Sequence, residues 1–373
     1  MIFFSQDLAA DAAADEDGQS VATTAIARDR DARETATADA AAPWTDRLLL
    51  ALLSISVVGV LSQITLGGVV RVTGSGDGCP DWPQCFGSWI PPSDYHAIIE
   101  WSHRTTGTFV GIIILLALVR VVQRYRGHRA LLGLALSGMV LVSIVGGIGG
   151  SVVLTDLNPA IRTLHLGLAE IVLLIMLTAL AVAAIPPSWR SFNPLSAIDA
   201  RMVTKLAAVA AVVSLVALLS GAYAVWRDAG AVCGSWPLCG GSVIPEVSLT
   251  WIHMIHRLLA GIGAVIAAYA AFRAYRLAGA GPQLKGAAMA VLGIIAAQVL
   301  IGAANPWTDF DTWVKATHLS LATFMWGATA LLAVLIWLPY FRSGRPGVLS
   351  SQSGMRPNPD PGEMTAEMAA ADE

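Results

Sequence analysis

The chain has 373 residues, of which 55% are hydrophobic and only 13% charged, and its mean hydropathy is +0.64. A soluble domain carries about 25% charged residues, so this composition excludes an ordinary water-soluble enzyme and points to the bilayer as solvent. The net charge of −3 arises in tails and loops, and no basic stripe suggests a nucleic-acid partner.

In chain order, residues 1–45 are rich in Ala, Asp and Thr, with an acidic patch at Asp11, Asp15, Glu16 and Asp17. They lack the basic start, apolar run and cleavage site of a signal peptide. This segment and residues 342–373 bury too little apolar surface to fold, and both are expected to be disordered tails. Between them lie eight apolar runs, at roughly 47–70, 100–122, 130–153, 161–185, 203–226, 251–274, 284–304 and 314–340. Each is close to the ~20 residues that span a bilayer as helix. Runs this long and this uniformly apolar are not barrel strands, so the backbone must satisfy itself as helix.

The expected fold is an all-α integral membrane protein, its eight transmembrane helices forming two parallel-repeat four-helix bundles. Residues 46–186 form the first unit, 187–202 a cytoplasmic linker and 203–341 the second unit. Basic residues gather in the even-numbered loops (Arg120, Arg124, Arg126 and Arg129; Arg190, Arg201 and Lys205; Arg273, Arg276 and Lys285) and after the last run (Arg342 and Arg345). By the positive-inside rule both termini are cytoplasmic and the protein is a multi-pass protein of the cell membrane.

The repeat is carried by landmarks. CPDWPQC at 79–85 and CGSWPLC at 233–239 both read C-x-x-W-P-x-C, 154 positions apart. His103-Arg104 pairs with His256-Arg257, His165-Leu166 with His318-Leu319, Thr155-Asp156 with Thr308-Asp309, and Arg162 with Lys315, all at an offset of 153. A four-helix unit returns to its starting side, so two copies run parallel.

All four cysteines fall in outward loops, where an oxidising exterior favours disulfides. The pairings expected are Cys79–Cys85 and Cys233–Cys239. As staples they order the outer loops; a redox relay and a zinc site are the alternatives.

His103, His165, His256 and His318 sit inside even-numbered helices, near the outer end of each. Ionisable groups within a span are costly and usually functional. Opposed imidazoles ligate heme iron, which gives His103 with His165 and His256 with His318, one pair per unit. The bland alternative is polar glue between helices. Arg71, Arg104, Arg162, Arg227, Arg257 and Lys315 lie toward the outer face, and four of them are next to or three residues from a ligand candidate. Charge-assisted bonds to heme propionates suit Arg104, Arg162, Arg257 and Lys315; snorkelling is the alternative. His253 is a neighbour of His256 on nearly the same face. His96 and His128 are read as solvated loop residues.

The copies differ at one place: Glu100-Trp-Ser-His103 stands against His253-Met-Ile-His256. At i, i+3 spacing Glu100 shares a face with His103, as a proton donor or acceptor or as a carboxylate that only favours the helix N-terminus. The asymmetry suggests a reacting heme in the first unit and a permanent one in the second.

Taken together, GGVVRVTGSGDGCPDWPQC at 67–85, E-x-x-H-R at 100–104, and His165, His256 and His318 resemble the heme A synthase family, over roughly residues 45–340. The paired cysteines look like its cysteine-containing branch. The resemblance implies oxidation of the C8 methyl of heme O to the formyl of heme A, for use by cytochrome oxidase. It implies that His103 and His165 face heme O with Glu100 as the essential acid, and that His256 and His318 ligate heme b. It also implies heme O synthase and cytochrome oxidase assembly as partners, with membrane lipid around the chain. Competing readings are a bis-His membrane cytochrome b that only carries electrons, and a heme carrier.

Overall fold

Eight long apolar helices make up nearly all of the computed structural model, which describes residues 42–185, 197–241, 248–277 and 281–342. They are α1 (Arg47–Val72), α2 (Tyr95–Tyr125), α3 (Arg129–Leu154), α4 (Pro159–Ala184), α5 (Ala197–Trp226), α6 (Ser248–Tyr275), α7 (Pro282–Trp307) and α8 (Thr312–Arg342). Short 3-10 turns precede α1 (Pro43–Thr45) and follow it (Ser75–Asp77). Each helix is long and apolar enough to cross a membrane, and no strand occurs among the described residues. The protein is a multi-pass, all-α membrane protein. The tail expected at 1–45 is described only from residue 42, and the tail expected at 342–373 lies, apart from the end of α8, outside the described residues.

Caps set the helix starts. The carboxylate of Asp94 accepts from the amides of His96 and Ala97, so α2 begins a turn ahead of the apolar run expected from residue 100. Its first turn carries Tyr95 and His96, which hydropathy alone leaves outside the span. The linker expected at 187–202 is shorter than the sequence suggested: α5 already runs from Ala197, because Ala-Ile-Asp-Ala-Arg-Met is good helix-forming sequence although not apolar. Residues 186–196 lie outside the described residues. Asn158 caps α4 ahead of Pro159 at its first position, and His128 caps α3, its Nδ1 accepting from Leu131 N. His128 is therefore a structural cap and not merely solvated.

Helix neighbours close two rings. In the first half α1 packs on α2, α2 on α3, α3 on α4 and α4 on α1; in the second α5, α6, α7 and α8 do the same. The halves meet where α4 packs on α5 and α8, and α1 on α8. Apolar transfer drives little association within lipid, so close packing has to do it. Ala207 and Ala210 of α5 and Ala267, Ala270, Ala271 and Ala274 of α6 are fully buried in one cluster, and their small side chains let the helices approach. Between the halves, Val172, Leu173 and Met176 of α4 form a core with Leu218 of α5 and Trp326 of α8. One polar bond crosses there: Thr323 Oγ1 donates to Glu170 Oε1 at 2.6 Å, with Glu170 fully buried.

The turns that join α3 to α4 and α7 to α8 correspond closely. Asp156 and Leu157 join α3 to α4 with φ of 48° and 57°; Asp309 and Phe310 join α7 to α8 with 49° and 59°.

At the opposite end, Asp46 ties three groups together. Its carboxylate caps Leu49 N at 3.0 Å and accepts from Arg120 Nε at 2.9 Å and Tyr125 Oη at 3.0 Å. Burial alone would raise its pKa, but the bonds from Arg120, Leu49 and Tyr125 outweigh that and hold it below the usual 3.8. The charged form is the one stabilised, so the contribution is complete above the unfolded value and is lost as pH falls through the lowered folded one. Replacing Asp46 by Ala removes a cap and a charge-assisted bond and should cost about 2–4 kcal/mol. Tyr125→Phe should cost about 1 kcal/mol. Denaturant unfolding in detergent at neutral pH checks both, and an unmoved midpoint for Asp46→Ala would show the network to be idle. Repeated near pH 3, the gap between wild type and Asp46→Ala should narrow.

Candidate functional site

The four helical histidines fall into two sets by depth. His103 and His256 each lie eight residues beyond the first residue of α2 and α6, about 12 Å along the axis; His165 and His318 each lie six beyond the start of α4 and α8, about 9 Å. In each ring the two histidine-bearing helices are not sequence neighbours but face each other across it.

His256 and His318 meet directly, with ring centroids 6.5 Å apart and planes at 85°. A metal bound about 2 Å from a nitrogen of each of two opposed imidazoles sets the centroids roughly 6 Å apart, so this pair fits an iron between them. The Nδ1 of His256 lies 3.0 Å from Ala217 O and 3.1 Å from Ser220 Oγ. A carbonyl only accepts, so Nδ1 carries the proton and Nε2 is left with its lone pair for a metal, an arrangement common for ligating histidines. His318 Nδ1 and His165 Nδ1 are buried without a hydrogen-bond partner. His103 and His165 lie close enough to interact electrostatically, and the backbone carbonyl of His103 accepts from Gln63 Nε2 at 2.8 Å.

Each histidine faces a glycine on an odd-numbered helix. A Cβ added to Gly67 would come within 3.0 Å of His103, one at Gly149 within 3.1 Å of His165, one at Gly221 within 2.6 Å of His256, and one at Gly302 within 3.1 Å of His318. Gly67 and Gly221 are 154 positions apart, and Gly149 and Gly302 are 153 apart, the same offsets as the histidines and cysteines. Four imidazoles therefore lie against bare backbone, which leaves room inside each ring. Two imidazoles in each ring are a donor set that would suit an iron porphyrin, and the His256–His318 spacing fits one.

Both cysteine pairs are bonded within their own loops, Cys79 to Cys85 and Cys233 to Cys239, so no thiolates converge on zinc, and no cluster of three metal-binding side chains occurs among the described residues. Each loop contains a cis Trp-Pro bond, at Trp82-Pro83 and Trp236-Pro237. Trp82 covers Gly150 at the end of α3, and Trp236 meets Trp307 at the end of α7 with centroids 6.2 Å apart. The loops thus close over one end of the helices, the end nearer the four histidines. In the first, Asp81 accepts from Phe86 N and Gly87 N at 2.6 and 2.7 Å, and the bond from Gly87 leads the causes that hold its carboxyl below the usual range. In the second, Ser235 Oγ takes that position and accepts from Gly240 N at 2.9 Å.

The arginines beside the ligands serve these loops. Arg104 NH1 donates to the carbonyls of Asp81 and Gln84 and NH2 to Cys79, while Nε pairs with Glu100 at 2.9 Å. Arg257 donates to the carbonyls of Ser235, Pro237 and Cys233. The sequence pattern offered both to heme propionates; the structure commits most of their donors to holding the disulfide loops on α2 and α6. Arg162 is different, since its Nε donates to Leu157 O while its guanidinium lies over Trp226. Lys315 is partly buried, one turn ahead of His318.

Glu100 is buried and tied to Arg104, hence to the first loop. At the equivalent position His253 Nδ1 donates to Ala229 O at 2.9 Å, so its role is to fasten α6 to the outer segment. His96 bonds Ser75 Oγ at 3.0 Å and is not simply solvated.

Sequence reading missed the glycines, Asp81, Ser235 and Trp226. The repeat offset, applied to every residue and not only to the rare ones, would have found the glycine pairs.

Comparison with known proteins gives the family. A model of the family described as cytochrome oxidase assembly protein matches residues 50–331. The heme A synthase of Symbiobacterium thermophilum is 30% identical over 283 residues, covering 74% of this chain and 91% of that protein. That of Geobacillus thermodenitrificans is 28% identical over 291 residues, covering 76% and 89%. That of Alkalihalophilus pseudofirmus is 26% identical over 305 residues, covering 76% and 96%.

The glycine cradle is testable. Gly221→Ala should displace the His256 ring and lower the heme content of the purified protein. Gly261→Ala on α6, where an added Cβ meets nothing within 4 Å, should leave it unchanged. Pyridine hemochrome assay reads the difference.

Proposed function

The chain belongs to the cytochrome oxidase assembly protein family, and from that premise we propose that it is a heme A synthase of the cell membrane, oxidising the C8 methyl of heme O to the formyl of heme A. The observation that carries this reading is the double constellation of two histidines, two facing glycines and one disulfide-closed loop, once in each half of the chain. A protein that only needed one redox heme would not require it twice.

In this reading the chain has two four-helix units, 46–186 and 203–341, with both termini cytoplasmic. His103 and His165 hold heme O, the substrate, in the first. His256 and His318 hold heme b in the second, where it supplies one-electron transfer. The Ala217 carbonyl fixes the tautomer of His256, which leaves the Nε2 lone pair as the one that would hold the iron. The closed outer loops and the buried apolar walls keep water away from both sites.

Glu100 is the acid–base residue. Oxidising a methyl to a formyl removes hydrogen from the carbon and adds one oxygen atom from water or dioxygen; the electrons go to dioxygen or a membrane electron acceptor, and a carboxylate one turn from His103 can take the protons at its oxygens. Arg104 holds that carboxylate through Nε while fixing the Cys79–Cys85 loop, so the group is positioned by the same residue that closes the site. His253 offers no carboxylate at the equivalent place, which supports placing the chemistry in the first half.

The experiment is expression beside a heme O source, followed by heme extraction and chromatography. Heme A should form only with the intact protein. Glu100→Gln should retain bound heme and lower heme A formation about a hundredfold or more. Unchanged heme O beside a bis-His b-type spectrum would make the protein an electron carrier instead.

A further inference from the structure

Three residues at the outer ends of three helices meet between the halves. Arg71 comes from the last turn of α1, Arg162 from the first turn of α4 and Trp226 from the end of α5. The guanidinium carbons of Arg71 and Arg162 lie 5.0 and 4.4 Å from the centroid of the same indole. Two cations share one ring. The ion pairs Arg104–Glu100 and Arg120–Asp46 found among the described residues involve neither of them. Asp77 reaches Arg162 only at longer range. Arg71 Nε and Trp226 Nε1 are both buried without a hydrogen-bond partner. Like charges held together with unmet donors, in a region of low dielectric, require an anion.

The position of the cluster says which half it serves. Gly68, three residues before Arg71, lies against Leu319, the residue after His318; a Cβ there would come within 2.6 Å of its Cδ2. The outer end of α1 therefore reaches the second half beside a ligand of that half. At the repeat offset of 154, Arg71 corresponds to Val225 and Trp226 to Val72, so the arrangement has no counterpart facing the first half.

We propose that Arg71 and Arg162, both from the N-terminal half, bind the propionate carboxylates of the heme held by His256 and His318 in the C-terminal half, with the Trp226 N–H as a further donor. This rests on the reading that the second histidine pair holds heme. Arginine matches a carboxylate with two parallel N–H bonds, and Arg71 has its Nε free to make one of them. The resident heme is then gripped by both halves, whereas position in the sequence, beside the first cysteine loop, assigns Arg71 to the first.

The test uses the full-length protein in two backgrounds. His103→Ala with His165→Ala leaves only the C-terminal heme; His256→Ala with His318→Ala leaves only the N-terminal one. In the first background, Arg71→Gln and Arg162→Gln should lower the heme reduction potential, because a cation near the propionates favours the reduced iron. They should also speed heme transfer to apomyoglobin by about tenfold or more. Arg71→Lys should restore much of the potential, since it keeps the charge, but less of the retention, since it loses the paired bonds. Arg227→Gln, an exposed charge next to Trp226, controls for general surface charge and should change neither. In the second background Arg71→Gln should leave the remaining heme unaltered. A C-terminal heme whose potential and loss rate ignore both glutamine variants overturns the inference while leaving the heme reading intact, and points to another anion, such as a lipid phosphate, on the arginines. Protein without heme in wild type and both backgrounds overturns the two together.

Discussion

An imidazole inside a lipid-embedded bundle needs both a partner and space, and the rest of this structure is arranged around supplying them. Hydrocarbon offers no hydrogen bonds, so each polar group must be satisfied within the protein or by something it binds. Glycines at 67, 149, 221 and 302 give the space, at the cost of weaker helix propensity on four odd-numbered helices. The partners are incomplete: His256 has Ala217 and Ser220, but Nδ1 of His165 and of His318 has none. A bundle built only for stability would fill such places with Leu or Ala, as this one does between α5 and α6.

The outer loops follow from the same requirement. A site that opens near the membrane surface must be closed there, and a disulfide-closed loop of seven residues has no core of its own. Each loop is fastened instead by a disulfide, by a tryptophan laid on the end of an odd-numbered helix, and by an arginine from the helix that carries the histidine. Arg104 and Arg257 thereby link the loop and the ligand on one helix turn. This is a better account of their position than propionate binding, and it explains why they follow the histidines directly in sequence: adjacent residues point in different directions, one into the ring and one toward the loop.

Much of the fold was legible because hydropathy reports what lipid demands. All eight spans were visible, and so were the histidines and cysteines, since rare residues stand out against an apolar background. The glycines were not, because the chain has 35 of them and helices in membranes use them freely. The starts of α2 and α5 were misplaced because their first turns are polar and set by capping and propensity, which hydropathy does not measure. The partners of Arg104, Arg257 and His253 were hidden because they are backbone carbonyls, which leave no trace in side-chain identity. Trp226 was invisible for a different reason: its meaning depends on Arg71 and Arg162, which come from the other half of the chain.

The two halves match at landmarks 153 or 154 positions apart, and the proposed function requires them to be unequal. The differences lie at a few matched positions: Glu100 against His253, Arg71 against Val225, Val72 against Trp226, and Gln63, which holds the His103 carbonyl, against Ala217, whose own carbonyl orients His256. None of these alters the ring of helices, the glycine opposite each histidine or the closing loop. The carboxylate is on the side of the first pair and the unpaired cations are on the side of the second. A site that must release its product benefits from fewer fixed charges on its ligand, while one that keeps its heme benefits from more. The asymmetry in charge thus runs in the direction expected if the first half turns over and the second half retains, and it does so through residues that the common architecture leaves free to vary.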